Sequence, residues 1–219
     1  MELSSLAFDA RWKKAYEEND IRDQIFTEEN GTTRNVEMMC SMEEWYLEDD
    51  KATGFIKHYA DEKYAFVALL PKEGVSVADY VSTLDGAHLQ EMLKNPENVK
   101  VQTGIPKFES ECALKMQDML NEMGMKDAFS ERNADFSALG SSANGNIYIN
   151  RVLHKTYISV AENGTKAGAA TVIEMGDMCA AIEPEEIKTV YLDRPFVYMI
   201  IDCQANLPVF IGTTMSAGK

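Results

Sequence analysis

The sequence predicts a mixed α/β protein in which β-strands dominate and helices are few and short. Short runs rich in β-branched and aromatic residues recur along the chain, punctuated by turn residues. Apolar residues at helical spacing occur in only two stretches, 75–95 and 113–125. The runs YAFVALLP (64–71), FVYMIID (196–202) and LPVFIG (207–212) are apolar almost throughout, the pattern of strands buried on both faces.

Taken in order, SSLAF (4–8), DQIFTE (23–28), NVEMMCSM (35–42) and EWYLE (44–48) read as strands. ENGTT at 29–33 supplies the turn chemistry of a hairpin. In 75–95, Val81 and Leu84 precede a break near Gly86, and Leu89, Met92 and Leu93 follow it, giving two short helices. VKVQTGIPKFESE (99–111) returns to strand character. ALKMQDMLNEMGM (113–125) is helical, with Met116, Met119, Leu120 and Met123 on one face and Gly124 as its stop. Those methionines are expected to fill core space. FSERNADFSALGSSANG (129–145) is irregular, and IYINRVLHKTYISV (147–160) is again strand-like. Strands buried on both faces need a covering layer on each side, which so few helices hardly supply. The expectation is that the chain pairs with something or that part of the domain is missing.

The 219 residues carry a net charge of −15 and no basic cluster, which argues against a nucleic-acid partner and against an anionic membrane surface. No apolar run is long enough for membrane insertion. The start, MELSSLAFDARWKK, lacks a basic region followed by a long apolar stretch, so no signal peptide is expected in the chain as given. Cys40, Cys112, Cys179 and Cys203 are widely spaced, with no C-x-x-C pair and no histidine at ligand spacing. Neither a zinc site nor a dense disulfide framework is implied, and the thiols are expected to be mostly buried and free, Cys179 excepted. No cofactor and no metal is called for. A Cys/His enzyme built from Cys112 or Cys179 with His154 lacks an evident orienting partner.

The stretch ENGTKAGAATVIEMGDMC (162–179) has a different character. Its Gly, Ala and Thr residues bury little apolar area, and it carries too few charges for a solvated linker. It alternates. Thr165, Ala167, Ala169, Thr171, Ile173 and Met175 share one parity and are small or apolar. Lys166, Gly168, Ala170, Val172 and Glu174 share the other, which takes both charges. Such a segment is able to form a half-buried strand, and its small side chains lose little entropy on doing so.

FDARW ending at Trp12, VEMM at 36–39, FVALLP at 66–71 and IPKFESE at 105–111 follow one another in an order that is itself informative. LNEMGMKDAFS, ADFS at 134–137, VLHKTYISVAENGT at 152–165, RPFVYMIID at 194–202 and LPVFIG continue it. Together these landmarks resemble the serpin family of serine protease inhibitors, over residues 3–212. The resemblance implies a serpin fold of β-sheets with short helices, in one domain spanning 1–219. Serpins have a long, largely helical N-terminal portion before the segment resembling FDARW, so the chain is expected to be truncated there. Ser4 and Ser5 stand where the family usually has a strand asparagine.

By the same resemblance, residues about 162–188 form an exposed reactive loop. Its hinge comprises Glu162, Gly164, Thr165, Ala167, Gly168, Ala169, Ala170 and Thr171, and Trp12, His154 and Lys155 belong to the region where the main sheet opens. Counting sixteen residues on from Glu162 reaches Met178, which makes Met178–Cys179 the reactive bond and Cys179–Ala180 the next choice. Counting back from Arg194 falls nearer Pro184, so the loop is longer than usual on that side. The implied function is inhibition of serine endopeptidases as a suicide substrate, not turnover catalysis. The implied partner is an elastase- or chymotrypsin-like serine protease rather than a trypsin-like one, since Met suits an apolar specificity pocket. Family resemblance alone implies an extracellular or cell-surface location. The alternatives are a noninhibitory serpin-like binding or storage protein, and an inactive fragment.

Overall fold

In the computed structural model, the described residues are 2–5 (backbone only), 8–165 and 186–218. In chain order the strands begin with β1 (Glu2–Ser5), β2 (Ala10–Arg11), β3 (Ile21–Thr27), β4 (Thr33–Glu48), β5 (Ala52–His58) and β6 (Tyr64–Pro71). Two helices follow, α1 (Val77–Thr83) and α2 (Gly86–Lys94), then β7 (Glu97–Pro106), β8 (Phe108–Lys115) and α3 (Gln117–Glu122). The remaining strands are β9 (Val152–Ala161), β10 (Gly164–Thr165), β11 (Ile187–Tyr191), β12 (Phe196–Asp202) and β13 (Leu207–Thr214). Among the described residues no helix is long and apolar enough to cross a membrane. The chain forms two compact units, Met1–Ala7 with Ser110–Ile158, and Phe8–Glu109 with Ser159–Lys219.

The larger unit is built on an eight-stranded sheet in the order β11-β7-β4-β5-β6-β12-β13, with β3 also paired to β4. The long strand β4 serves several neighbours: residues 33–39 pair with β3, 38–46 with β7 and 45–48 with β5. Between Glu43 and Trp45 its register with β7 shifts, a bulge that re-aims the strand. β6 is buried from Ala65 to Pro71 and β12 from Phe196 to Ile201. One face, including Ile56, Val67, Leu69 and Met199, is covered by Val77 and Tyr80 of α1 and Leu89 and Leu93 of α2. Ser76 caps α1 by accepting from the Asp79 amide, and Asp85 caps α2 by accepting from the His88 amide. The break between the helices thus falls at Leu84–Asp85, and Gly86 opens α2. The other face is covered by aromatic side chains, with Trp12 edge-on to Phe66 and Phe108 against Phe196 and Tyr198. Both faces of β6 and β12 therefore find cover within this unit, one from the two short helices and the other from aromatic side chains, where the sequence suggests that so few helices hardly supply it.

β13 departs from the sequence reading. Its apolar run is not buried on both faces. Leu207, Val209 and Ile211 stand exposed, and the strand alternates because among the described residues no layer packs over that face. β5, which the sequence reading passed over, lies inside the sheet between β4 and β6.

In the smaller unit β1 runs parallel to the start of β9, Glu2–Ser5 opposite Val152–Lys155. Residues 147–150 are not strand; the strand begins at Val152, whose carbonyl accepts from the Met116 amide. The stretch 99–115 makes two strands broken at Lys107, and α3 starts only at Gln117. α3 buries none of its residues: Met119, Met123 and Met125 are exposed, so the methionine face is not core. A six-residue helix has too few turns to bury a stripe of its own.

Candidate functional site

The two described residues of β10 are bordered on both sides. Gly164 and Thr165 pair antiparallel with Ala161 and Val160 of β9, and with Arg11 and Ala10 of β2. Along β9 the partner changes, from β1 at Val152–Lys155 to β10 at Val160–Ala161. Gly164 sits at φ +143°, where a Cβ would overlap the Ala10 carbonyl oxygen and lie 2.7 Å from Arg11 Cα. Only glycine fits both the backbone and the close approach.

Thr165 is 2% exposed, and its hydroxyl lies 2.8 Å from that of Tyr59. Tyr59 in turn stacks on Trp12, ring centroids 4.7 Å apart and planes 7° from parallel. The Trp12 indole N–H donates to the Ala161 carbonyl at 2.9 Å. Glu162 is half-buried beside Lys107, whose Nζ is 3.3 Å from Oε2 and also 3.2 Å from a Glu37 oxygen. The Glu162 backbone N–H holds that carboxyl below the usual range; partial burial opposes this, and the Lys107 ammonium adds to it.

Trp12, Glu162, Gly164 and Thr165 are thus brought into one cluster. His154 and Lys155 belong to the other unit, on the part of β9 paired with β1; His154 is half-buried and Lys155 exposed. Ala167, Gly168, Ala169, Ala170, Thr171, Met178 and Cys179 lie outside the described residues. The sequence reading missed Tyr59, Lys57, Tyr16 and Lys107, all of which touch Trp12, Glu162 or Thr165 or a neighbour of these. The lone lysine in the apolar run GFIKHY was the available signal for one of them.

The thiols also differ from expectation: Cys112 is exposed, and Cys40 and Cys203 are half-buried. Cys112 lies in the second half of β8, where every residue from Glu111 on is exposed. A cleft of about 680 Å³ lined by residues including Arg22, Cys40 and Tyr191 holds none of the expected site residues. Among the described residues no cluster of His, Cys, Asp or Glu is arranged to hold a metal ion.

The chain as a whole has close counterparts among known proteins. The native state of the thermophilic serpin tengpin superposes with a TM-score of 0.85 at 48% identity, over 95% of this chain and 53% of that one. An uncharacterized serpin-like protein of Thermococcus kodakarensis is 36% identical over 97% of this chain and 49% of its own length. Human serpin B8 is 28% identical over 96% of this chain and 56% of its own. The chain thus spans about half the length of the relatives it matches. A family model described as Serpin (serine protease inhibitor) matches residues 2–217, so that fold and sequence agree and the chain belongs to the serpin family.

Proposed function

We propose that the protein inhibits serine endopeptidases as a suicide substrate, its two compact units being parts of one serpin domain with a reactive loop at about 162–188. The observation that supports this most directly is the seating of Gly164 and Thr165 as a short antiparallel strand between β9 and β2. The sequence that follows alternates small residues at Ala167, Ala169 and Thr171, with Gly168 and Ala170 between them. That composition suits lengthening the seated strand, because each inward position needs little space and loses little entropy.

In the proposed reaction a protease serine attacks the Met178 carbonyl. An ester bond forms to the serine oxygen, the Met178–Cys179 amide breaks, and the new amine of Cys179 leaves with a proton. The freed loop then extends β10 into the sheet, carries the acylated protease with it and stalls deacylation. His154 and Lys155 belong to the strand beside which the loop passes, and Trp12 to the point of entry. Methionine before the scissile bond suits an elastase- or chymotrypsin-like pocket and not one that requires Arg or Lys. A relative from Tachypleus tridentatus is named an intracellular coagulation inhibitor, so family membership by itself assigns this chain no compartment.

Incubation with pancreatic elastase or chymotrypsin tests the reading. The expected result is an SDS-resistant adduct of the protease with the chain up to Met178, and release of a fragment beginning at Cys179. Cleavage without any adduct would favour a noninhibitory binding or storage role.

A further inference from the structure

Trp12 and Tyr16 grip the hinge from one side. The Trp12 amide donates to the Asn163 carbonyl at 3.2 Å and the Tyr16 amide to that of Glu162 at 3.0 Å. With the indole bond to Ala161, three consecutive carbonyls are held by two residues one helical-turn spacing apart in sequence. Both rings of this clamp meet the same cation. Lys57 Nζ lies 5.5 Å from the Trp12 ring and 4.5 Å from the Tyr16 ring, and donates to Glu43 Oε1 at 2.7 Å.

Lys57 is 2% exposed, the next-to-last residue of β5, opposite Phe66 on the aromatic face of the sheet. An ammonium buried there without partners would be prohibitive. One carboxylate and two ring faces receive it instead. Glu43 also accepts from the Ser41 hydroxyl at 2.6 Å, and that hydroxyl lies 3.3 Å from the phenol of Tyr16 and 3.1 Å from Thr103 Oγ1. The ion pair therefore reaches Tyr16 twice, at the ring face and at the hydroxyl.

Apolar residues of equal volume would fill this space at similar or better overall stability. They would not fix which way the rings face. We infer that Lys57, held by Glu43, is a positioning residue that keeps the Trp12–Tyr16 clamp closed on the hinge, so that Gly164 and Thr165 stay registered between β9 and β2. Its consequence for inhibition rests on the function proposed above: a registered hinge lets the cleaved loop enter without delay, whereas a loose one leaves time for deacylation.

Amide hydrogen exchange separates the two. In the double variant Lys57→Met/Glu43→Gln, the Trp12 and Tyr16 amides are expected to exchange roughly tenfold faster, a change typical of losing a buried cation–π contact. Amides of β6 and α2 keep their wild-type rates. Unchanged exchange at Trp12 and Tyr16 overturns the inference, as does a uniform rise across the unit, which would make the pair an ordinary core element. If the double variant does not fold, Glu43→Gln alone decides: acceleration of about threefold or more at the same two amides supports the clamp, and none overturns it. With elastase, the double variant is expected to need several-fold more inhibitor per protease trapped. If the wild type forms no adduct, the inhibitor reading falls while the exchange result still judges the clamp.

Discussion

The hydroxyls of Tyr59 and Thr165 lie 2.8 Å apart in a buried position, joining a residue just beyond β5 to the last described residue of the hinge. Removing one partner strands the other away from water. Tyr59→Phe and Thr165→Val are each expected to cost about 1–3 kcal/mol. The double variant should cost clearly less than the sum, because no polar group is then left unpaired. Urea unfolding of the four proteins measures the coupling; additive losses would show that the hydroxyls do not depend on one another.

Gly164 offers a sharper test of how β10 is seated. Its φ of +143° and the closeness of Arg11 leave no room for a Cβ. Gly164→Ala must displace β10 or β2, at a cost of roughly 1–3 kcal/mol. Trp12 follows Arg11 directly, and the chain has only one other tryptophan, Trp45. A red-shifted emission in Gly164→Ala, absent when Trp12 is first replaced by Phe, is the expected signature. Emission and melting temperature identical to wild type would mean that the close packing is not real.

The Glu162–Lys107 pair predicts a pH dependence. Glu162 is held below its ordinary range by its own backbone N–H first and by Lys107 after that. A carboxyl depressed on folding contributes stability above its unfolded value, near pH 4.3, and loses it as pH falls through the folded value. Both side chains are partly exposed, so after solvent screening the contribution is about 0.5 kcal/mol at pH 7. The melting-temperature gap between wild type and Glu162→Gln is therefore expected to shrink as pH drops from about 5 to 3. A gap that widens over that interval would contradict the assignment.

Much of the fold was legible because β6, β12, the two helices and the β3–β4 turn carry local patterns. What was missed depends on neighbours. LPVFIG reads as buried, but burial on both faces requires a layer packed over each, and the face of β13 carrying Leu207, Val209 and Ile211 has none among the described residues. The methionines of 116–125 show helical spacing, yet nothing in the spacing says whether a surface lies opposite. β5 escaped notice because Gly54 and Lys57 break its alternation, and both are explained only by contacts distant in sequence. A Cβ at Gly54 would collide with the Ala68 backbone, and Lys57 finds Glu43 on the neighbouring strand β4. The alternation from Thr165 onward was readable as a pattern; the contacts of Tyr59 with Thr165 and of Lys107 with Glu162 were not, since a single residue gives no signal of what it faces.

The two parities of the hinge make the last prediction. Thr165 packs inward against Tyr59, so residues of the same parity, Ala167 next, are those that would enter the sheet with their side chains buried. An arginine there carries a charge with no partner into the interior, at a cost of several kcal/mol. An arginine at Ala170, of the opposite parity, stays in water. Ala167→Arg is thus expected to turn the protein into a plain substrate, cut by elastase at an unchanged rate but with no SDS-resistant adduct. Ala170→Arg should retain adduct formation within a few-fold of wild type, because the surface tolerates charge. Gel densitometry of adduct against cleaved chain compares them directly. Equal loss in both variants would mean that size, not burial of one face, limits entry, and equal retention would mean that the segment does not enter the sheet as a strand.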